Sequence, residues 1–319
     1  MLMKILKYGS ICLCVLVALL IGASFYMVDY ALARRHTHWT EDKAWERLEN
    51  CYPWTIEWMD SIRADGVLKD TFIHSDDGRR LHGYYLPRHP KHDSVSVART
   101  VLLIHGYRNC AIDMMHLGYM YHHSLGYNIF LPDLHAHGQS DGESIQMGWK
   151  DRLDALRWCY VAESVFHTPM VVHGISMGAA TTMMLSGEES LPTSITHFIE
   201  DCGYTSAWDE FKGELVNQFS LPAFPLLHVT SILCDAIYGW NFTEASAIEQ
   251  VRKCRKPMFF IHGDADDFVP TWMVHPLHEA HGGEKQLWLT KGVDHAHSYR
   301  YYPDEYTKRV VCFLQVLHQ

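Results

Sequence analysis

The sequence is short of basic charge, with 27 Lys and Arg against 37 Asp and Glu and a formal net charge of -10. No basic patch reverses that balance, which argues against nucleic acid as a partner. The glycines near His105 and Ser176 lack both the spacing and the lysine of a phosphate-binding loop. Internal repeats and low-complexity segments are absent as well. The nine cysteines include no C-x-x-C pair, and the seven beyond residue 28 (Cys51, Cys110, Cys159, Cys202, Cys234, Cys254 and Cys312) read as buried thiols rather than a disulfide framework.

Charge is also missing from Tyr8 to Val28, where tyrosines and cysteines are the only ionisable groups. This run is long enough to cross a hydrocarbon core as a helix. Ala31-Leu32-Ala33 would serve as a signal cleavage site, but the apolar run exceeds a typical signal core, which favours an uncleaved anchor. Lys4 and Lys7 precede the run and Arg34, Arg35 and Lys43 follow it, so the positive-inside count is nearly balanced. The short lysine-bearing leader points to a single-pass protein with its domain on the extracytoplasmic side.

The chain then divides at about residues 35 and 66. His36 to Gly66 is tryptophan-rich, with Trp39, Trp45, Trp54 and Trp58. Pro53 suits a first helical turn, placing Trp54, Trp58 and Ile62 on one face, either packed on the domain or resting at the membrane surface. Asp70 to Pro87 reads as a hairpin around Asp76-Asp77-Gly78. Residues 67–319, about 250 in all, suit one doubly wound α/β domain with a large core.

Chemistry enters at Val171-Val172-His173-Gly174-Ile175-Ser176-Met177-Gly178-Ala179-Ala180, a G-x-S-x-G segment between an apolar strand and a small-residue helix. A serine on so sharp a turn is pushed out of the backbone and becomes a candidate nucleophile. It needs a base and an orienting acid, and suitable residues follow in the order acid, then histidine. Met258 to Ile261 forms a strand running into a loop with Asp264, Asp266 and Asp267. A second short strand, Gln286 to Leu289, leads to a loop with His295 and His297.

With His105-Gly106-Tyr107 after Val101 to Ile104, and the block Pro132 to Ser140, these segments give five ordered motifs from about Thr71 to Leu317. The chain here resembles the α/β-hydrolase superfamily, in particular its small serine esterases and serine-aminopeptidase-like members. The resemblance implies a mostly parallel, doubly wound sheet with a helical cap insertion, preceded here by one transmembrane helix. It also implies Ser176 as nucleophile, His295 as base and Asp266 as orienting acid, with the backbone N–H groups of Tyr107 and Met177 as oxyanion donors. The family spacing of His-Gly, two residues, Asp, two residues, Val-Pro selects Asp266; Asp201, at the end of an earlier strand, is the rival position. The same spacing logic favours His295 over His297.

One departure is Ala136, where the family has glycine; alanine tolerates positive φ poorly, so the turn is expected to rearrange slightly. His105, His173 and His262, each ending a strand, read as core histidines. His135-x-His137 and His295-x-His297 have metal-ligand spacing, but the first pair lacks partners and the second overlaps the triad, so no metal or other cofactor is expected.

The insertion at about 202–256 is the place for a cap, and its apolar middle offers Phe219, Phe224 and Leu227 as substrate contacts, unless that cluster is a corner buried on the core. The resemblance and the anchor together imply a membrane-tethered serine hydrolase, a carboxylesterase acting on a small-molecule ester through an acyl-enzyme, with an aminopeptidase-like amidase on the same residues as the alternative. The elbow serine argues against dehalogenase or epoxide hydrolase chemistry, and the complete set of residues argues against a non-catalytic scaffold. With no catalytic candidate in residues 1–35, the anchor is expected to fix location and leave the hydrolysis of short esters unchanged. Oligomeric state is left open.

Overall fold

The computed structural model describes residues 2–34, 41–89 and 98–315, so Arg35, His36 and Trp39 lie outside the described residues. It begins with α1 (Leu2–Leu32), a single helix whose segment Leu6–Leu32 is long and apolar enough to cross a membrane. From Leu6 to Leu19 its side chains are exposed, whereas Ser24, Val28 and Leu32 are buried against the rest of the protein. Their spacing of four residues puts them on one helical face.

Two further helices, α2 (Glu41–Cys51) and α3 (Ile56–Ala64), bury Trp45, Leu48, Trp58, Met59 and Ile62 in the core. The Trp58 indole N–H donates to His122 Nδ1 at 3.2 Å, and Arg47 Nε and Nη2 both donate to Asp113 Oδ1, at 3.0 and 2.8 Å. This segment therefore packs on the domain. Trp54 departs from the expected stripe: it lies in the 3₁₀ turn Pro53–Thr55, where helical spacing does not yet hold, and is 40% exposed.

An eight-stranded sheet carries the fold, in the order β1-β2-β4-β3-β5-β6-β7-β8. The strands are β1 (Lys69–His74), β2 (Arg80–Leu86), β3 (Thr100–Ile104), β4 (Asn128–Pro132), β5 (Met170–Ile175), β6 (Ile195–Asp201), β7 (Met258–Gly263) and β8 (Lys285–Thr290). β1 and β2 pair antiparallel through the expected hairpin, with Gly78 at φ +81 in its turn; β2 meets β4 antiparallel and all other pairs are parallel. In β3, Leu102 and Ile104 belong to one core and Val101 and Leu103 to the other, the two-residue alternation of a strand covered on both faces. That double cover explains why the central strands are continuous apolar runs.

The helices between strands are α4 (Met115–Gly118), α5 (Asp151–Phe166), α6 (Met177–Ser186), α7 (Ala207–Phe219), α8 (Leu226–Tyr238), α9 (Ala247–Val251) and α10 (Val274–Ala280), followed by α11 (Ser298–Tyr301) and α12 (Pro303–Gln315). The chain leaves β3 toward β4 on one side and returns to β5 on the other, so the order reverses between β3 and β5. Loops diverge at such a switch point and leave a crevice beyond the carboxyl ends of the strands. The loop after β3 and the turn carrying Ser176 border it.

The block after β4 is held by Asp133, whose Oδ1 accepts from Ala111 N at 2.7 Å and whose Oδ2 accepts from Gln139 N at 2.9 Å and pairs with His82 Nδ1 at 2.7 Å. Within it Ala136 stays at φ +62, so the turn keeps a left-handed residue despite its Cβ. The expected rearrangement is replaced by local strain, maintained by the hydrogen bonds around it. Ala136→Gly should therefore stabilise the fold by about 0.5–1 kcal/mol, the relieved Cβ contact outweighing the extra chain entropy of glycine. Urea denaturation of the two proteins checks this.

Candidate active site

Ser176 joins β5 to α6 at φ 58 and ψ -120, a backbone conformation that non-glycine residues rarely adopt. The flanking glycines make the turn possible. A Cβ on Gly174 would run into the Gly178 carbonyl, and one on Gly178 into the Ile104 carbonyl. The turn is also fixed from outside, because Ser176 N donates to the Asp201 carbonyl at 2.8 Å.

His295 comes from the loop after β8 and sets Nε2 2.8 Å from Ser176 Oγ. Its other ring nitrogen, Nδ1, lies 2.7 Å from Asp266 Oδ2. Asp266 is positioned in turn by the loop after β7, where Oδ1 accepts from Phe268 N at 3.1 Å and from Val269 N at 3.0 Å. Burial would raise this carboxyl's pKa, but hydrogen bonds from His262 and His295 outweigh burial and hold it down at about 2. An ionised Asp266 accepts from the histidine and so favours the tautomer that leaves Nε2 open as an acceptor toward the serine.

Gly106, in the loop after β3, passes so close that a Cβ there would lie 3.4 Å from Ser176 Cβ. Tyr107 follows it, and Met177 opens α6, whose first N–H groups have no intrahelical partner. Both residues line the cavity beside Ser176.

Asp201, the rival acid, is engaged elsewhere. Its Oδ2 accepts from Tyr306 Oη at 3.0 Å; Tyr306 Oη also lies 3.0 Å from His173 Nε2, and His173 Nδ1 lies 3.1 Å from Tyr121 Oη. Burial lifts the Asp201 carboxyl to about 6 and pushes His173 down to about 3. His173 is thus neutral and belongs to a buried relay behind the serine. His105 is likewise internal, with Nε2 accepting from Leu134 N at 3.0 Å. His262 is buried too, its Nε2 2.9 Å from the Val269 carbonyl and 3.5 Å from Asp266 Oδ2. His297 turns away from the serine and pairs with Asp294 at 2.7 Å.

A cavity of about 410 Å³ opens at Ser176, lined largely by apolar side chains from α6, α7, α8 and the loops. Phe219 and Leu227 are part of its wall. Phe224 is not: it lies between α7 and α8 and is 72% exposed. The connection 220–225 has no regular period, so its apolar content gave no direction for that side chain.

Several wall residues carried no chemical motif. Phe211, Leu215 and Phe219 follow one another at helical spacing on α7 and could have been read as a stripe. Glu210, on the same helix, is buried, and its Oε2 has no hydrogen-bond partner among the described residues. Burial raises its pKa well above the carboxylate range. Met27, Tyr30 and Ala31 of α1 also line the cavity, and Tyr107 Oη donates to the Ala31 carbonyl at 2.6 Å. Residues of α1 are thus part of the cavity wall, a contribution not expected of a segment without a catalytic candidate.

For metal ligands, Cys202, Asp266 and His295 place one donor atom each within 4.8 Å of one another. Burial pushes the Cys202 thiol far above its ordinary range, and the other two groups are committed to each other. A thiol is a weak ligand, so this set suits the hydrogen-bonded pair better than a metal ion. His137 Nε2, of the other spaced pair, accepts from Arg108 N at 3.1 Å.

Sheet order, turn serine and switch-point crevice together define the α/β-hydrolase fold, and solved structures agree. The chain is similar to the Pyrococcus furiosus esterase Pf2001, with a TM-score of 0.61 and 23% identity over 78% of this chain and 90% of that one. The acylaminoacyl peptidase of Pyrococcus horikoshii gives a TM-score of 0.56 and 17% identity, over 78% of this chain and 40% of that one. Among curated proteins it is similar to the uncharacterized protein YqkD of Bacillus subtilis, 26% identical over 76% of this chain and 77% of that protein. No protein-family model matches the chain.

Proposed function

We propose that this protein is a membrane-anchored serine hydrolase that cleaves carboxylic esters through an acyl-enzyme. The observation that carries the reading is the hydrogen-bonded series Ser176–His295–Asp266, with Ser176 lining an apolar cavity. Ser176 Oγ attacks the ester carbonyl while His295 Nε2 takes its proton, and the N–H groups of Tyr107 and Met177 receive the oxyanion. The tetrahedral adduct collapses with loss of the alcohol, which takes the proton from His295 and leaves the acyl group on Ser176. Water, activated by the same histidine, then releases the acid and restores the serine.

An amide substrate is the second reading, supported by the likeness to an acylaminoacyl peptidase. An acylated amino terminus carries no ammonium, so such a substrate needs no carboxylate to hold it, and the apolar lining would take its acyl group as it would that of an ester. Labelling by a fluorophosphonate probe, followed by matched ester and aminoacyl-amide panels, tests both.

α1 acts as a single membrane span in this reading, with Lys4 and Lys7 on the cytoplasmic side and the domain outside. Arg34, the first cation after it, donates to the Ser140, Gly142 and Gly138 carbonyls at 2.6, 3.3 and 2.8 Å, so it has a structural role.

The cavity wall should set acyl preference. Phe219→Ala and Leu227→Ala should each weaken the specificity constant for bulky acyl esters by about 1–3 kcal/mol relative to acetate, while Phe224→Ala leaves the profile unchanged. Kinetics on an ester series of increasing chain length reads the difference directly.

A further inference from the structure

The anchor helix is longer than a membrane requires. Its 31 residues extend for about 46 Å, against a hydrocarbon core of about 30 Å. About ten residues exceed the core, roughly half of them at the leader end with Lys4 and Lys7 and the rest at the domain end. The burial pattern marks the domain end, since the helix is exposed from Leu6 to Leu19 and buries a face only from Ser24 onward.

That protruding end is built into the cavity. Met27, Tyr30 and Ala31 form part of the wall beside the end of α7, where the Tyr30 ring meets Phe219 edge-on at 5.4 Å. Tyr30 Oη donates to Gln218 Oε1 at 2.7 Å, while Tyr26 and Tyr30 stack at 6.1 Å. Tyrosines in such a position mark the level of the lipid headgroups. α8 packs along α1, and on α8 and the segment before it Leu221, Phe224, Ile232 and Ile237 are exposed. Exposed apolar side chains on an element packed against a span suit lipid.

We propose that the substrate is a long-chain acyl ester resident in the bilayer, and that its chain enters the cavity sideways, past the last turns of α1, with Met27, Tyr30 and Ala31 as its guide wall. The inference rests on the reading of Ser176 as nucleophile and α1 as a span. A chain leaving the bilayer at headgroup level then passes from one apolar surroundings to another without crossing water. The ester group, at the junction of chain and headgroup, reaches Ser176 last.

The test uses the full-length protein in phosphatidylcholine vesicles, with p-nitrophenyl acetate and p-nitrophenyl palmitate as short and long esters. The readout is the ratio of kcat/KM for palmitate to that for acetate. Ala31→Trp, which narrows the wall, should lower this ratio by about tenfold or more, and Tyr30→Ala, which removes part of it, should lower it severalfold. Leu13→Trp, on the exposed part of the span, should leave the ratio where it is. Fluorophosphonate labelling of each variant shows that its site is assembled. If Ala31→Trp and Tyr30→Ala both label and keep the wild-type ratio, the guide-wall inference is wrong while the hydrolase reading stands. If the wild-type protein neither labels nor hydrolyses either ester, the hydrolase reading falls and takes this inference with it.

Discussion

Replacing Ser176 with alanine should lower ester turnover by about 10⁶ and remove fluorophosphonate labelling, with a residual rate from the oxyanion donors and binding. The size of the effect follows from the geometry. Without Oγ, the 2.8 Å contact to His295 Nε2 is lost and no side chain can form the acyl intermediate. The substitution should leave folding intact, because the strained turn is imposed by Gly174, Gly178 and the Asp201 carbonyl rather than by the serine hydroxyl. A variant that is folded but still labels would show that another nucleophile carries the chemistry.

Asp266→Asn should cost about 10⁴ in turnover, since an amide at this position can present its N–H₂ to His295 Nδ1 and stabilise the wrong tautomer. Asp264→Asn and Asp267→Asn should cost little, as neither is bonded to the histidine. Asp201→Asn is the informative contrast. Its carboxyl accepts from Tyr306, which in turn meets the buried His173, so its loss should act on stability and on the turn behind Ser176, not on the tautomer of His295. If Asp201→Asn gave the larger kinetic loss, with unchanged stability, the assignment of the acid would be reversed. Exhaustive chelation of the purified protein, expected to leave activity unchanged, checks the Cys202–Asp266–His295 cluster in the same assay.

The residues of the hydrogen-bonded series were legible because each lies where the chain must turn sharply after an apolar strand, and such places are punctuated by glycine, aspartate and proline at short range. Gly174 and Gly178 are demanded by the Gly178 and Ile104 carbonyls, contacts that any sequence making this turn must accommodate. The loop from Asp264 to Pro270 likewise encodes its own closure, Asp266 binding the N–H groups two and three residues ahead. What escaped reading is long-range. Nothing in Met27, Tyr30 or Ala31 distinguishes a helix that merely spans from one that also walls a cavity, because the difference lies in what packs against it. The direction of Phe224 and the isolation of the Glu210 carboxyl have the same origin: both depend on how two helices meet. Trp54 failed for a local reason, since a 3₁₀ turn has a different period from the α-helix that follows.

The junction between α1 and the domain has a mechanical consequence. Arg34 grips three carbonyls of the 138–142 loop, Ala33 bridges to Ser144, Ile145 N donates to the Leu32 carbonyl at 2.7 Å, and Arg108 reaches the Tyr30 carbonyl at 2.8 Å. A helix pinned at so many points is a mast rather than a leash. With the mast seated in a bilayer, Ser176 would work at one altitude above the lipid and in one compass bearing around the helix axis. Esters would then be sorted by depth before they are sorted by shape, and lengthening the mast by one helical turn, about 5.4 Å, would retune which of them come within reach.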